Sequence, residues 1–219
     1  MKLSIVTAVL DSHEIVQRQL LHYGSLPDDV ELIFVDDGSN PPLSGNVKII
    51  QTNDTRNWTE HIARNRGAKE ASGDYIFFID IDYVVPFETI LKCLGFKGDR
   101  KPIRRQFGIL TEEGIISTEA KDLKEFGLKD RWIRKKYFPG HRSQFLIKKS
   151  LFWDMGGYNE SLDGVWRITG GAGERFWRKW QKLEIEGKVM LDNDPLDVYM
   201  FPSGKFADFE LPLFHGLKH

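Results

Sequence analysis

The sequence predicts an α/β fold in which a mostly parallel central sheet is flanked by helices within a single domain. Three observations carry this expectation. The strand-like segments LSIVTAV, VELIFV and YIFFI are continuous apolar runs, the pattern of strands covered on both faces rather than on one. Helix-length segments separate them, as parallel crossovers require. At 219 residues and 41% hydrophobic content the chain can bury one sizeable core, and no Pro/Gly/Ser-rich linker, internal repeat or low-complexity tract divides it.

Each element follows in order. The opening MKLSIVTAVL holds about eight apolar-leaning residues and meets Asp11 without a small-residue cleavage site. It is too short for a signal peptide or a membrane span and is expected as the first strand. A helix is expected at 12–24, a strand at 30–37, a short strand at 47–51, a helix at 57–71 and then the strand YIFFI. Gly67 and Ala68 are small enough to let that second helix lie close on the sheet, and Arg66 is expected to reach the cleft. Beyond Pro86 the rhythm loosens. FETILKCLGF reads as an amphipathic helix, IRRQFGIL and GIIS as paired strands, and the basic run from Lys121 to Lys136 as partly helical. A strand at Ser143–Ile147 leads into a helix at 149–155 that stops at Gly156 and Gly157.

In sheets of this kind ligands bind beyond the carboxyl ends of the strands. Those ends carry polar clusters at Thr7 to Asp11, Asp36 to Asn40, Gln51 to Asp54 and Asp80 to Asp82. Gly38 suits a turn, but the adjacent Asp36 and Asp37 exceed what a turn needs. Asp80 and Asp82, separated by Ile81, close a buried strand: either as solvated turn residues or as ligands placed beside a cation and an anion.

Composition narrows the classes. Cys93 is the only cysteine, which excludes an intrachain disulfide and a cysteine-based zinc site and makes the cytoplasm the default expectation. A net charge of −1 argues against general nucleic-acid binding. The charge is uneven, however: Lys97 to Lys149 holds 15 Lys and Arg against 7 Asp and Glu, and the remainder 16 against 25. A basic middle in an acidic frame suits an anionic ligand, or is only a solvated positive surface.

SIVTAVLDSHE, FVDDGSN, ARNRGAKEASGDYIFFIDID and MGGYNESLDG, in this order and spacing, resemble the inverting family 2 glycosyltransferases of the GT-A fold. The resemblance covers about residues 3–86 closely and 143–180 more loosely. It implies a nucleotide-binding half at 1–86 and an acceptor and catalytic half at 87–219. It further implies that Thr7, Val9 and Asp11 line the base and ribose pocket, that Asp36 or Asp37 accepts hydrogen bonds from the base, that Arg66 meets base or phosphate, and that Asp80 and Ile81 lie along the nucleotide. Asp82, with Asp80, would hold manganese or magnesium against the diphosphate, and uracil is the favoured base.

An inverting transfer needs a general base on the acceptor hydroxyl. TGGAGERFWRKW resembles the glycine-rich, tryptophan-containing segment of galactosyl- and N-acetylgalactosaminyltransferases and offers Glu174. Arg175 stands where the family has an aspartate, which leaves Asp163 as a second candidate. Trp166 and Trp177 offer faces for a sugar, although buried tryptophan is ordinarily core. In LPLFHGLKH, His215 is the implied third metal ligand. The expected partners are a nucleotide diphosphate sugar, with a UDP-sugar favoured, and a glycan or glycolipid acceptor. The expected place is the cytoplasm, with at most peripheral contact with the inner face of the membrane. Two competing readings are a non-catalytic nucleotide-sugar or glycan-binding module, and a sugar nucleotidyltransferase, whose glycine-rich loop AVLDSHE lacks.

Overall fold

The computed structural model describes residues 1–57, 59–133, 135, 137–161, 171–190, 192 and 194–203. β1 (Leu3–Val9), α1 (His13–His22), β2 (Val30–Asp36), β3 (Lys48–Gln51), α2 (Glu60–Glu70) and β4 (Tyr75–Asp80) follow the expected alternation. Next come β5 (Tyr83–Val84), α3 (Phe87–Leu94), β6 (Arg100–Phe107), β7 (Ile109–Leu110), β8 (Ile116–Ser117), α4 (Ala120–Glu125), α5 (Asp130–Ile133) and β9 (Phe138–Pro139). β10 (Phe145–Lys148), α6 (Lys149–Asp154), α7 (Ala172–Ile185) and β11 (Leu196–Met200) complete the described elements.

One sheet runs through both halves of the chain in the order β3-β2-β1-β4-β10-β6-β11-β5, with β9 added on β6. β3, β2, β1 and β4 are mutually parallel, and β6 and β11 form a second parallel pair. β10 joins these two groups by running antiparallel to both β4 and β6. The fold class is therefore α/β as expected, and every antiparallel pair includes a strand of the second half. The expected pairing of IRRQFGIL with GIIS holds only for its end: Ile109–Leu110 pairs with Ile116–Ser117, whereas Ile103–Phe107 belongs to the main sheet beside β11. Gly108 marks the break, because a Cβ there would lie 2.8 Å from Tyr199 Cβ.

Side chains alternate along each strand and divide the core between two faces. Leu3, Ile5, Val9, Phe34, Phe77 and Ile79 pack with Ile15 and Val16 of α1 and Ile90 of α3 on one face. Val6, Ile33, Val35, Ile76 and Phe78 pack with Ala63 and Ala68 of α2, Phe152 of α6, and Phe176 and Trp180 of α7 on the other. Gly67 sets the approach of α2 to the sheet: a Cβ there would collide with Val6 and lie 2.9 Å from Val35 Cγ2. Gly67→Ala is expected to cost about 1–3 kcal/mol by overpacking. Urea unfolding checks it; an unchanged midpoint would mean that α2 does not sit this close.

The parallel register aligns the functional edge. Val9 lies opposite Asp36, Asp36 opposite Gln51, and Ala8 opposite Asp80, so the polar strand ends form one row. Among the described residues no helix is long and apolar enough to cross a membrane.

Candidate active site

The first two strand ends are locked together by hydrogen bonds. The Asp11 N–H donates to Ser39 Oγ at 3.0 Å, and Asp11 Oδ1 accepts the Asn40 N–H at 2.8 Å, with Asp11 held at φ 48°. Asp36 is fully buried, and its carboxylate accepts the N–H groups of Ser39 and Leu43, each at 2.8 Å. Burial pushes its carboxyl up, but these donors outweigh burial and hold it below the ordinary range. Asp36 is thus the organiser of its own turn. Asp37, also buried, accepts the hydroxyls of Thr52 at 2.9 Å and Thr59 at 2.8 Å, which ties the end of β3 to the start of α2. Val9 gives its carbonyl to the Asp37 N–H at 2.8 Å. Thr7 is buried, and its hydroxyl has no hydrogen-bond partner among the described residues.

α2 places its arginines differently from the sequence expectation. Arg66 is exposed and donates to the Thr52 carbonyl. Arg64, two residues earlier and only 3% exposed, is the arginine that enters the cleft. Its guanidinium bridges Asp80 Oδ1 and Glu60 Oε1, the latter at 2.5 Å, and reaches the Ser143 carbonyl at 3.2 Å. The readable signal was the i,i+4 pair Glu60/Arg64, which shares one side of the helix. Burial, and then repulsion from Asp80 and Asp37, push the Glu60 carboxyl up against the pull of Arg64.

Asp80 and Asp82 leave β4 together. Asp80 Oδ2 accepts from Gln144, and Asp82 Oδ2 accepts the Ser203 hydroxyl at 3.2 Å. Burial, and then the charge of Asp80, push the Asp82 carboxyl up to about 7. A buried carboxyl that resists ionisation, with a second carboxylate two residues away, forms an oxygen donor set that a divalent cation would relieve, so these residues fit manganese or magnesium. No group of three His, Cys, Asp or Glu side chains placed to hold a metal is present among the described residues. Oxygens of a bound diphosphate and water would therefore complete the shell. His215, Asp163 and Trp166 lie outside the described residues.

A cleft of about 610 Å³ is lined by Glu60, Arg64, Arg105, His141, Arg142 and Glu174 among others, and Arg64 connects it to Asp80. Arg105 comes from β6 and donates to Tyr83 Oη at 2.6 Å, while its buried Nε has no partner among the described residues. Desolvation lowers the His141 imidazole below its ordinary value, and the neighbouring guanidiniums of Arg64, Arg105 and Arg142 add to this against Asp80. Glu174 sits in the first turn of α7, where the helix dipole favours a carboxylate. Arg142 Nη1 meets its Oε2 at 2.5 Å and Arg178 Nε its Oε1 at 3.4 Å, and these donors hold it below the usual range. Arg105, His141, Arg142 and Gln144 were not singled out from sequence, because their convergence depends on the β10 crossover. Trp177 lies 4.6 Å from the Arg100 guanidinium, in a packing role.

Comparison with known proteins decides the family. The description "Glycosyl transferase family 2" matches residues 5–156. The chain belongs to this family. This glycosyltransferase is 29% identical, over 233 aligned positions covering 92% of the chain and 75% of the relative, to the bactoprenol glucosyl transferase of Shigella phage SfV. It is 24% identical over the same span to that of Shigella phage SfX. Its fold is that of the GT-A glycosyltransferases. Staphylococcus aureus TarS superposes with a TM-score of 0.57 at 16% identity, over 93% of this chain and 37% of that one. A mannosyltransferase from Pyrobaculum calidifontis, in complex with GDP-Man and Mn2+, superposes with a TM-score of 0.56 at 12% identity, over 93% and 58%. The glycosyltransferase therefore spans less than two thirds of either structural relative.

Proposed function

We propose that this family 2 glycosyltransferase moves a hexose or N-acetylhexosamine, with inversion, from a nucleotide diphosphate sugar to an acceptor hydroxyl of a glycan or glycolipid. The observation that carries the reading is that Arg64, whose guanidinium holds Asp80, and Glu174, held below the usual carboxylate range by Arg142, line one cleft. A UDP-sugar is the favoured donor. Asp37 is the better base contact of the two adjacent aspartates: it accepts from the hydroxyls of Thr52 and Thr59, which can turn, whereas Asp36 accepts the backbone N–H groups of its own turn. A divalent cation on Asp80 and Asp82 would neutralise the charge that develops on the leaving diphosphate.

The chain's own groups supply the rest. Glu174 takes the proton of the acceptor hydroxyl as its oxygen forms the bond to the anomeric carbon, and the bonding pair of the sugar–phosphate bond leaves with the diphosphate. Arg142 keeps Glu174 ionised, the state in which a base must begin. Arg64 neutralises Asp80 and fixes its orientation. Arg175, at the position of the family's aspartate, lines a neighbouring depression, while Glu174 lines the cleft. A polyprenol-linked acceptor, suggested by the names of the relatives, would place the reaction at the inner face of the membrane.

Slow donor hydrolysis tests this reading. With manganese and UDP-glucose, proton NMR in the first minutes is expected to show release of β-glucose from the α-linked donor. Release of α-glucose would overturn inversion, and no release from UDP-glucose, UDP-galactose or UDP-N-acetylglucosamine would overturn the enzyme assignment with these donors.

A further inference from the structure

β10 runs antiparallel to β4 with Phe145 opposite Phe78, which brings Ser143, just before the strand, abreast of Asp80. The residues of this lead-in reach different parts of the site. Gln144 Nε2 donates to Asp80 Oδ2, while Arg64 holds Oδ1 of the same carboxylate. The buried Ser143 gives its carbonyl to Arg64 Nη1 at 3.2 Å. From the other side, a Cβ on Gly173 would lie 3.1 Å from Ser143 Cβ, so the first turn of α7 rests directly on this residue. Arg142 Nη1 meets Glu174 Oε2 at 2.5 Å. Consecutive residues therefore touch Asp80 at one end and Glu174 at the other.

Gln144 is only 1% exposed, and its Oε1 is buried without a hydrogen-bond partner among the described residues. An amide satisfied at one end is a poor stabiliser, because the orphan acceptor has given up water and gained nothing in return. An apolar side chain of the same length would fill the place without that penalty. What the amide alone supplies is the N–H on Asp80.

We propose that Gln144 is a positioning residue for Asp80, and that Arg142, Ser143 and Gln144 act as one strap that holds Asp80 and Glu174 in a common frame. The proposal rests on the glycosyltransferase reading above and deepens it. With one donor on each oxygen, the Asp80 carboxylate is fixed in rotation and its remaining lone pairs keep one direction. Ser143 is backed by Arg64 on one side and α7 on the other, so a shift at Gln144 is passed to Arg142 rather than absorbed. The reach from the donor to the carboxylate that takes the acceptor proton is then set by one short segment, and small errors in such a reach lower rate steeply.

Three measurements on the full chain test it: calorimetric titration of UDP with manganese, hydrolysis of a UDP-sugar, and thermal unfolding of the metal-free protein. Gln144→Met, of equal length but without an N–H donor, is expected to weaken UDP binding at least fivefold and to lower kcat at least tenfold, with a thermal midpoint equal to that of the native protein or higher. Arg142→Gln is expected to lower kcat at least tenfold with UDP affinity within twofold. In the double variant the loss of kcat is expected to be smaller than the product of the two single losses, since both loosen the same strap. Lys148→Gln, at the exposed end of β10, is the control and is expected to change none of the three. A lowered midpoint or unchanged UDP affinity in Gln144→Met, or losses that simply multiply in the double variant, would overturn the strap. Failure of the native protein to bind UDP with manganese would instead overturn the donor reading on which it rests.

Discussion

Glu174→Gln is expected to lower transfer and donor hydrolysis by about 10²- to 10⁴-fold, the range for loss of a general base, while UDP affinity stays within twofold. Glutamine keeps the shape and still offers a carbonyl to Arg142, so the Arg142 contact at the mouth of the cleft survives. What disappears is the ability to take a proton. Stopped assays with a UDP-sugar, beside calorimetry of UDP, separate the two effects. Unimpaired turnover would remove Glu174 from the chemistry and leave Asp163 as the remaining carboxylate of the sequence reading.

Asp82→Asn is expected to act in opposite directions on stability and on binding. In the unfolded chain this carboxyl ionises near the ordinary value of about 4; in the folded protein burial and Asp80 hold its proton up to about 7. The unfolded state therefore gains from ionisation as pH rises from about 4 to about 7, and the folded state loses stability over that window. Asparagine removes the penalty. In metal-free protein the variant is expected to be more stable than the parent at pH 8, on the order of 1–3 kcal/mol, with a smaller gain at pH 5. Manganese-dependent nucleotide binding is expected to fall at least tenfold. Chemical unfolding at the two pH values checks the first effect; equal destabilisation at both would show that Asp82 is not held against its ionisation. Stability given up at a functional group is the usual exchange at such sites.

The first half of the fold was legible because its strands are apolar on both faces and α2 is small-faced where it meets the sheet. Parallel register then brings the strand ends into one row, so Asp80 and Asp82 could be found from their place at the end of YIFFID. The second half was harder for a physical reason. β6 reads RKPIRRQF, a charged segment, yet it lies inside the sheet because the Arg100 guanidinium packs over Phe145 at 4.4 Å and Trp180 at 5.2 Å, and Lys101 pairs with Asp192 at 2.8 Å. These partners lie 45 to 91 residues away and leave no local periodicity. The choice between Arg64 and Arg66 depended on which side of α2 faces β4, and the adjacent pair of turn aspartates concealed a division of labour, Asp36 for the turn and Asp37 for the hydroxyls of Thr52 and Thr59.

The central claim is that the carboxyl edge of this sheet holds a nucleotide diphosphate through Asp80 and Asp82. Calorimetric titration of UDP, GDP, TDP, CDP and ADP, each with and without manganese, tests it most directly. One nucleotide, with UDP expected, should bind tightly and only when manganese is present. If none binds under either condition, the two aspartates are a strand-end turn and the account of the site fails.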